Sequence, residues 1–123
     1  MRLERSSDLT SDCIESFYFV YSSGRDVPGE AKLVLAVMVE ATRSFLHGIE
    51  PDIIPVPLRS LIRSRGITGR GMVWHAAHRW FSCANSRDAY TYPWSIDMLN
   101  ECWDVAIDGD MFRSELLSLA EPE

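Results

Sequence analysis

The amino-acid sequence predicts an all-α protein, a compact bundle of about five helices, and three observations carry that prediction. Apolar residues recur every three or four positions over 31–46 and again over 72–83, the spacing that gathers them on one side of an α-helix. Two side chains suited to capping a helix start, Ser95 and Asp108, each stand ahead of a further helical stretch. Prolines and glycines cluster between these segments and interrupt regular structure.

Each element follows from its residues. Positions 1–10 are polar and charged and are expected to fray, as are 120–123, leaving a single helical domain over 11–119. Over 13–21, Ile14, Phe17, Tyr18 and Tyr21 recur at helical spacing, although the aromatic and β-branched content keeps a strand as the rival. The turn-rich stretch 22–29 is a linker. Ala31, Leu35, Met38, Val39, Thr42, Phe45 and Leu46 then make the central core helix, which Gly48 is expected to stop. Pro51, Pro55 and Pro57 predict extended chain over 50–56. A short helix over 58–65 turns Leu58, Leu61 and Ile62 inward and Arg59 and Arg63 outward, and Gly66, Gly69 and Gly71 form the next turn. The helix over 72–83 is expected to carry Val73, Ala76, Ala77 and Trp80 on one side, and 85–93 is a polar loop. Ser95 is read as the N-cap of a helix to 103, with Asp97 near its positive end, and Asp108 as the N-cap of a last helix to 119.

Composition narrows the function classes. A chain of 123 residues with 46% hydrophobic content is one domain with a sizeable core. No run of about 18 apolar residues is present, and no secretory leader follows the first charges, so a cytoplasmic protein without membrane contact is expected. Cys13, Cys83 and Cys102, odd in number and widely spaced, read as reduced thiols. The net charge of −6 is unevenly spread: the chain from 95 onward carries −7, leaving +1 for the rest. Arg59, Arg63, Arg65, Arg70, Arg79 and Arg87 crowd into the middle, opposed there only by Asp88.

Candidate chemistry is sparse. His75 and His78 are close enough on a helix to share a metal, but no further ligand set completes a site, and neither a metal nor another cofactor is expected. The Gly66-Ile67-Thr68-Gly69 turn is short of a phosphate-binding motif, because a lysine-serine pair and a preceding strand are missing. Arg59, Arg63, Arg65 and Arg70 suit phosphate or an acidic protein surface. With no nucleophile elbow and no carboxylate pair in apolar surroundings, an enzyme is not expected.

From Ala77 onward, the strings Ala77-His78-Arg79-Trp80-Phe81-Ser82, Tyr92-Pro93-Trp94-Ser95-Ile96 and Ile107-Asp108-Gly109-Asp110-Met111-Phe112-Arg113 resemble small phage and prophage proteins. The stretch 35–41 is similar to that group's upstream helix. The resemblance implies a helix-turn-helix-like end, with Ser95 and Asp108 as caps and Arg113 at the group's arginine. Two departures are the connection through 103–106, which is longer than the usual turn, and Gly109 where a proline is common. Asp110 and Glu115 would repel phosphates from the last helix.

The expected function is therefore a phage-type protein-binding module in the host cytoplasm, a modulator or inhibitor of a host or defence protein or of the transcription machinery. Its contact residues would be Asp97, Glu101, Asp104, Asp108 and Asp110 with Tyr92 and Trp94. The alternative is a helix-turn-helix DNA-binding regulator contacting phosphates through Arg59, Arg63, Arg65 and Arg70.

Overall fold

In the computed structural model, which describes residues 12–62, 70–83, 86 and 88–120, every regular element is helical. The first, α1 (Asp12–Ser22), settles the helix-or-strand alternative: Cys13, Ile14, Phe17 and Val20 are buried at helical spacing, while Asp12 and Glu15 sit favourably at the positive end of the helix dipole. Tyr18, though at the same helical spacing, is exposed.

The longest helix, α2 (Gly29–Leu46), buries Ala31, Val34, Met38, Thr42, Phe45 and Leu46 and packs against both α3 (Met72–Ser82) and α4 (Tyr92–Trp103). It is the central core helix that its apolar pattern predicts. The one polar side chain among its buried residues is satisfied locally, since the Thr42 hydroxyl donates to the Met38 carbonyl at 2.7 Å.

The proline-rich stretch differs from the expected extended chain. It forms a 3₁₀ turn over Pro51–Ile53 and a second over Val56–Ile62, with Pro51 and Pro57 at early positions where a missing N–H costs nothing. Leu58, Leu61 and Ile62 point inward as predicted. The remainder of the expected helix, together with Arg63, Arg65, Gly66 and Gly69, lies outside the described residues.

Two further expectations are corrected. In α3 the buried residues are Trp74, Ala77 and Phe81; of the four residues read as lying on one side, Ala77 is buried and Trp80 packs on the core, whereas Val73 is 67% exposed and Ala76 is also exposed. In α4 the helix begins three residues before Ser95. Pro93 occupies its first turn, Thr91 holds the extended cap position, and Ser95 is a fully buried helix-interior residue. Asp97 is consequently a turn further from the positive end than expected.

The last junction is specified by local polar contacts. Asp104 ends α4 in the left-handed region at φ 55°, a conformation that aspartate tolerates better than most residues. Asn100 then grips the returning chain from both sides, donating to the Ile107 carbonyl at 3.0 Å and accepting from the Ile107 N–H at 2.8 Å. Asp108 caps α5 (Gly109–Ser118) as predicted, accepting from the Met111 N–H at 3.1 Å. Phe112 of α5 closes the core against Phe17 of α1, ring centres 5.2 Å apart.

Candidate protein-binding surfaces

The residues singled out from sequence fall into three groups once placed in the fold. Asp97, Glu101 and Asp104 are exposed on the side of α4 opposite Ile96, Leu99 and Trp103, which are buried. Among the described residues, no basic side chain forms an ion pair with any of the three. Asp108 and Asp110 are also exposed but have local duties, the first as helix cap and the second paired with Arg113 at 2.9 Å.

The aromatic residues divide. Tyr92, expected on the contact surface, is 1% exposed and belongs to the core, with its ring against Phe81 and Trp80 and its hydroxyl donating to the Gly109 carbonyl at 2.6 Å. Burial disfavours the phenolate and pushes this hydroxyl well above the ordinary tyrosine range. Trp94 remains half-exposed and packs on Tyr90, ring centres 5.0 Å apart.

Of the three described arginines of the basic middle, Arg59 and Arg70 bond the protein's own backbone, while Arg79 is exposed on α3. Arg59 donates to the Ile54 carbonyl at 2.9 Å, and Arg70 donates to the carbonyls of Gly48 at 2.8 Å and Ala120 at 3.3 Å while lying over the Trp74 ring. Arg43 and Arg25, not singled out from sequence, do the same for Leu61 at 3.0 Å and for Trp103, the last residue of α4, at 2.9 Å. Each guanidinium ties a carbonyl at a turn or helix end to another part of the chain. A planar fork with several donors serves this better than a point-charge ammonium.

The histidines also have packing partners. His75 and His78 both lie against Trp74, ring centres 4.9 Å and 5.2 Å away, and among the described residues no three metal-ligating side chains converge.

A surface that the sequence reading missed lies between α2 and α3. Ala36, Val37 and Ala41 of α2 face Val73, Ala76 and Trp80 of α3 across an open groove of about 450 Å³; among the described residues its one charged lining side chain is Glu40, which pairs with Arg43 at 2.6 Å. The signal was present in α3, whose apolar residues form two stripes: Trp74, Ala77 and Phe81 on one, Val73, Ala76 and Trp80 on the other. The first is buried, while in the second Val73 and Ala76 are exposed and Trp80 both packs on the core and lines the groove.

No protein-family model matches the chain, and no curated protein or solved structure matches it.

Proposed function

We propose that the chain is a phage-type protein-binding module, without catalysis of its own, that engages a basic surface of a host or defence protein or of the transcription machinery through the acidic face of α4. One observation carries this reading: Asp97, Glu101 and Asp104 stand exposed at three- and four-residue spacing, and among the described residues no cation pairs with them. Such an array costs self-repulsion in isolation and gains from a complementary partner, mainly through faster and more selective encounter. The DNA-binding alternative has less support. The guanidinium groups of Arg59 and Arg70 are engaged with backbone carbonyls, and α5 brings Asp110 and Glu115 toward any phosphate.

The test is affinity capture from bacterial host lysate with the wild-type chain and with the Glu101→Lys, Asp104→Lys double variant, each over a salt series, with bound proteins quantified by mass spectrometry. The expected outcome is a protein retained by the wild type, released as salt rises, and lost from the variant. Equal retention by both chains at every salt concentration would remove the acidic face from the mechanism.

A further inference from the structure

We infer that the groove between α2 and α3 docks an amphipathic helix of the partner protein, apolar on the face it buries and basic along its edges; this deepens the reading above and rests on it. The first support is the second apolar stripe of α3. Val73 is 67% exposed and Met72, at the start of the helix, 85% exposed, although the same helix already buries Trp74, Ala77 and Phe81. On α2, Leu33 stands 54% exposed one turn before Val37, on the same side of the helix. Val73 lines the depression itself, and Leu33 and Met72 add exposed apolar surface on the same two helices, an arrangement more typical of a binding surface than of scattered exposed residues.

The shape of the groove selects a helix. Phe45 near the end of α2 stacks on Trp74 near the start of α3, while Trp80 near the end of α3 lines the groove with Val37 in the middle of α2, so the two helices run in opposite directions. Alanines at 36, 41 and 76 keep the floor low and Val73 and Trp80 form higher points, which lets a third helix approach closely. The lining runs from Ala36 to Ser44 on α2, a length of about 12 Å at 1.5 Å per residue, matching about two turns of a bound helix with anchors at i, i+3 or i+4, and i+7.

The charge around it selects the partner's edges. Glu40 at the groove already pairs with Arg43 of the same helix at 2.6 Å, so the charge that a partner meets comes from the neighbouring acidic face. At the other wall, the Trp80 indole N–H donates to the Tyr90 carbonyl at 2.9 Å, Tyr90 packs on Trp94, and Trp94 precedes Asp97 by three residues and Glu101 by seven on one side of α4. The groove therefore connects through Trp80, Tyr90 and Trp94 to the side of α4 that carries the acidic residues. A second copy of this chain would bring its own net charge of −6 against the same surface, whereas a helix with Lys or Arg beside its apolar stripe meets both features.

The test uses the full chain and a labelled synthetic peptide with leucines at i, i+3, i+4 and i+7 and lysines elsewhere, read by fluorescence anisotropy. A twin with glutamate in place of lysine and a scrambled peptide of the same composition are the controls. The leucine-lysine peptide should bind best of the three. Val73→Asn together with Ala76→Gln, which remove apolar contact without changing the charge, should weaken it by about tenfold or more with the helical circular-dichroism signal unchanged, and the milder Val73→Ser should weaken it less. The groove is overturned if the scrambled peptide binds equally well, if the groove variants bind as the wild type does, or if sedimentation shows a wild-type dimer that they dissociate. Binding weakened by Glu101→Lys with Asp104→Lys but untouched by the groove variants would sink the groove while leaving the acidic-face reading standing. Binding weakened by the groove variants but insensitive to those reversals and to salt would support the groove and sink the acidic-face reading.

Discussion

Gly48 has a different role from the one its position after an apolar helix suggests. It does not adopt the left-handed conformation of a helix-terminating glycine; the residues with positive φ among those described are Gly24, Tyr90 and Asp104. What Gly48 provides is space, because a Cβ there would run into the Trp74 indole and lie 2.9 Å from Cγ of Arg70. Its carbonyl meanwhile accepts from Arg70, whose guanidinium covers Trp74. Backbone, arginine and indole form one packed unit that tolerates no added methyl group. Gly48→Ala should therefore destabilise by about 1–3 kcal/mol, the usual cost of overpacking a fitted site, while Gly29→Ala, whose Cβ would meet nothing, should change stability by less than about 0.5 kcal/mol. Urea denaturation of the two variants checks this, and equal effects would refute the account. The role of Gly48 was not legible in sequence, since its neighbour Trp74 is far away along the chain.

For the helices, the two capping residues read from sequence have opposite outcomes. Asp108 caps α5 with its carboxylate on the Met111 N–H, and Asp108→Ala should cost about 1 kcal/mol. Ser95 lies inside α4, fully buried, and its hydroxyl has no hydrogen-bond partner among the described residues. Ser95→Ala should leave stability unchanged or raise it, because alanine is the better helix former and carries no hydroxyl to desolvate. Thermal melts of both variants separate the two roles, and a Ser95→Ala loss as large as that of Asp108→Ala would restore Ser95 as a cap. The misreading has a clear cause. By its neighbours in sequence Pro93 reads with the preceding polar loop, whereas in the first turn of a helix proline is favoured and shifts the start to Tyr92.

Across the whole molecule, burial of weak acids sets the response to alkali. Burial raises the Tyr92 and Tyr21 hydroxyls and the Cys13 thiol above their ordinary values of 10.0 and 9.0, so the folded state holds these protons more tightly than the unfolded chain. Their contribution to stability is fully present below the ordinary values and is lost as pH rises from there toward the folded-state values. The urea midpoint should accordingly be steady near about pH 8 and fall by about pH 10.5, and Tyr92→Phe should flatten the fall. A midpoint independent of pH over that range would mean that these groups titrate alike folded and unfolded. Deprotonation also adds negative charge to a chain already at −6, which acts in the same direction.

The sequence by itself determined the helical class, the central place of α2, the cap of α5 and the inward turn of Leu58, Leu61 and Ile62, because each follows from spacing or from a capping contact a few residues long. The acidic face of α4 was equally legible, since a charge cluster is local in the chain and stays at the surface unless paired. Only the tertiary structure decided which apolar stripe of α3 entered the core, that Tyr92 filled it, and that Arg70, read as part of a surface patch, holds the distant carbonyls of Gly48 and Ala120. Periodicity tells which residues share a side of a helix, but which side is buried depends on where the neighbouring helices lie. In α3 both stripes were apolar enough for the core, and the packing of α2 against Trp74, Ala77 and Phe81 left the other one facing outward as the groove.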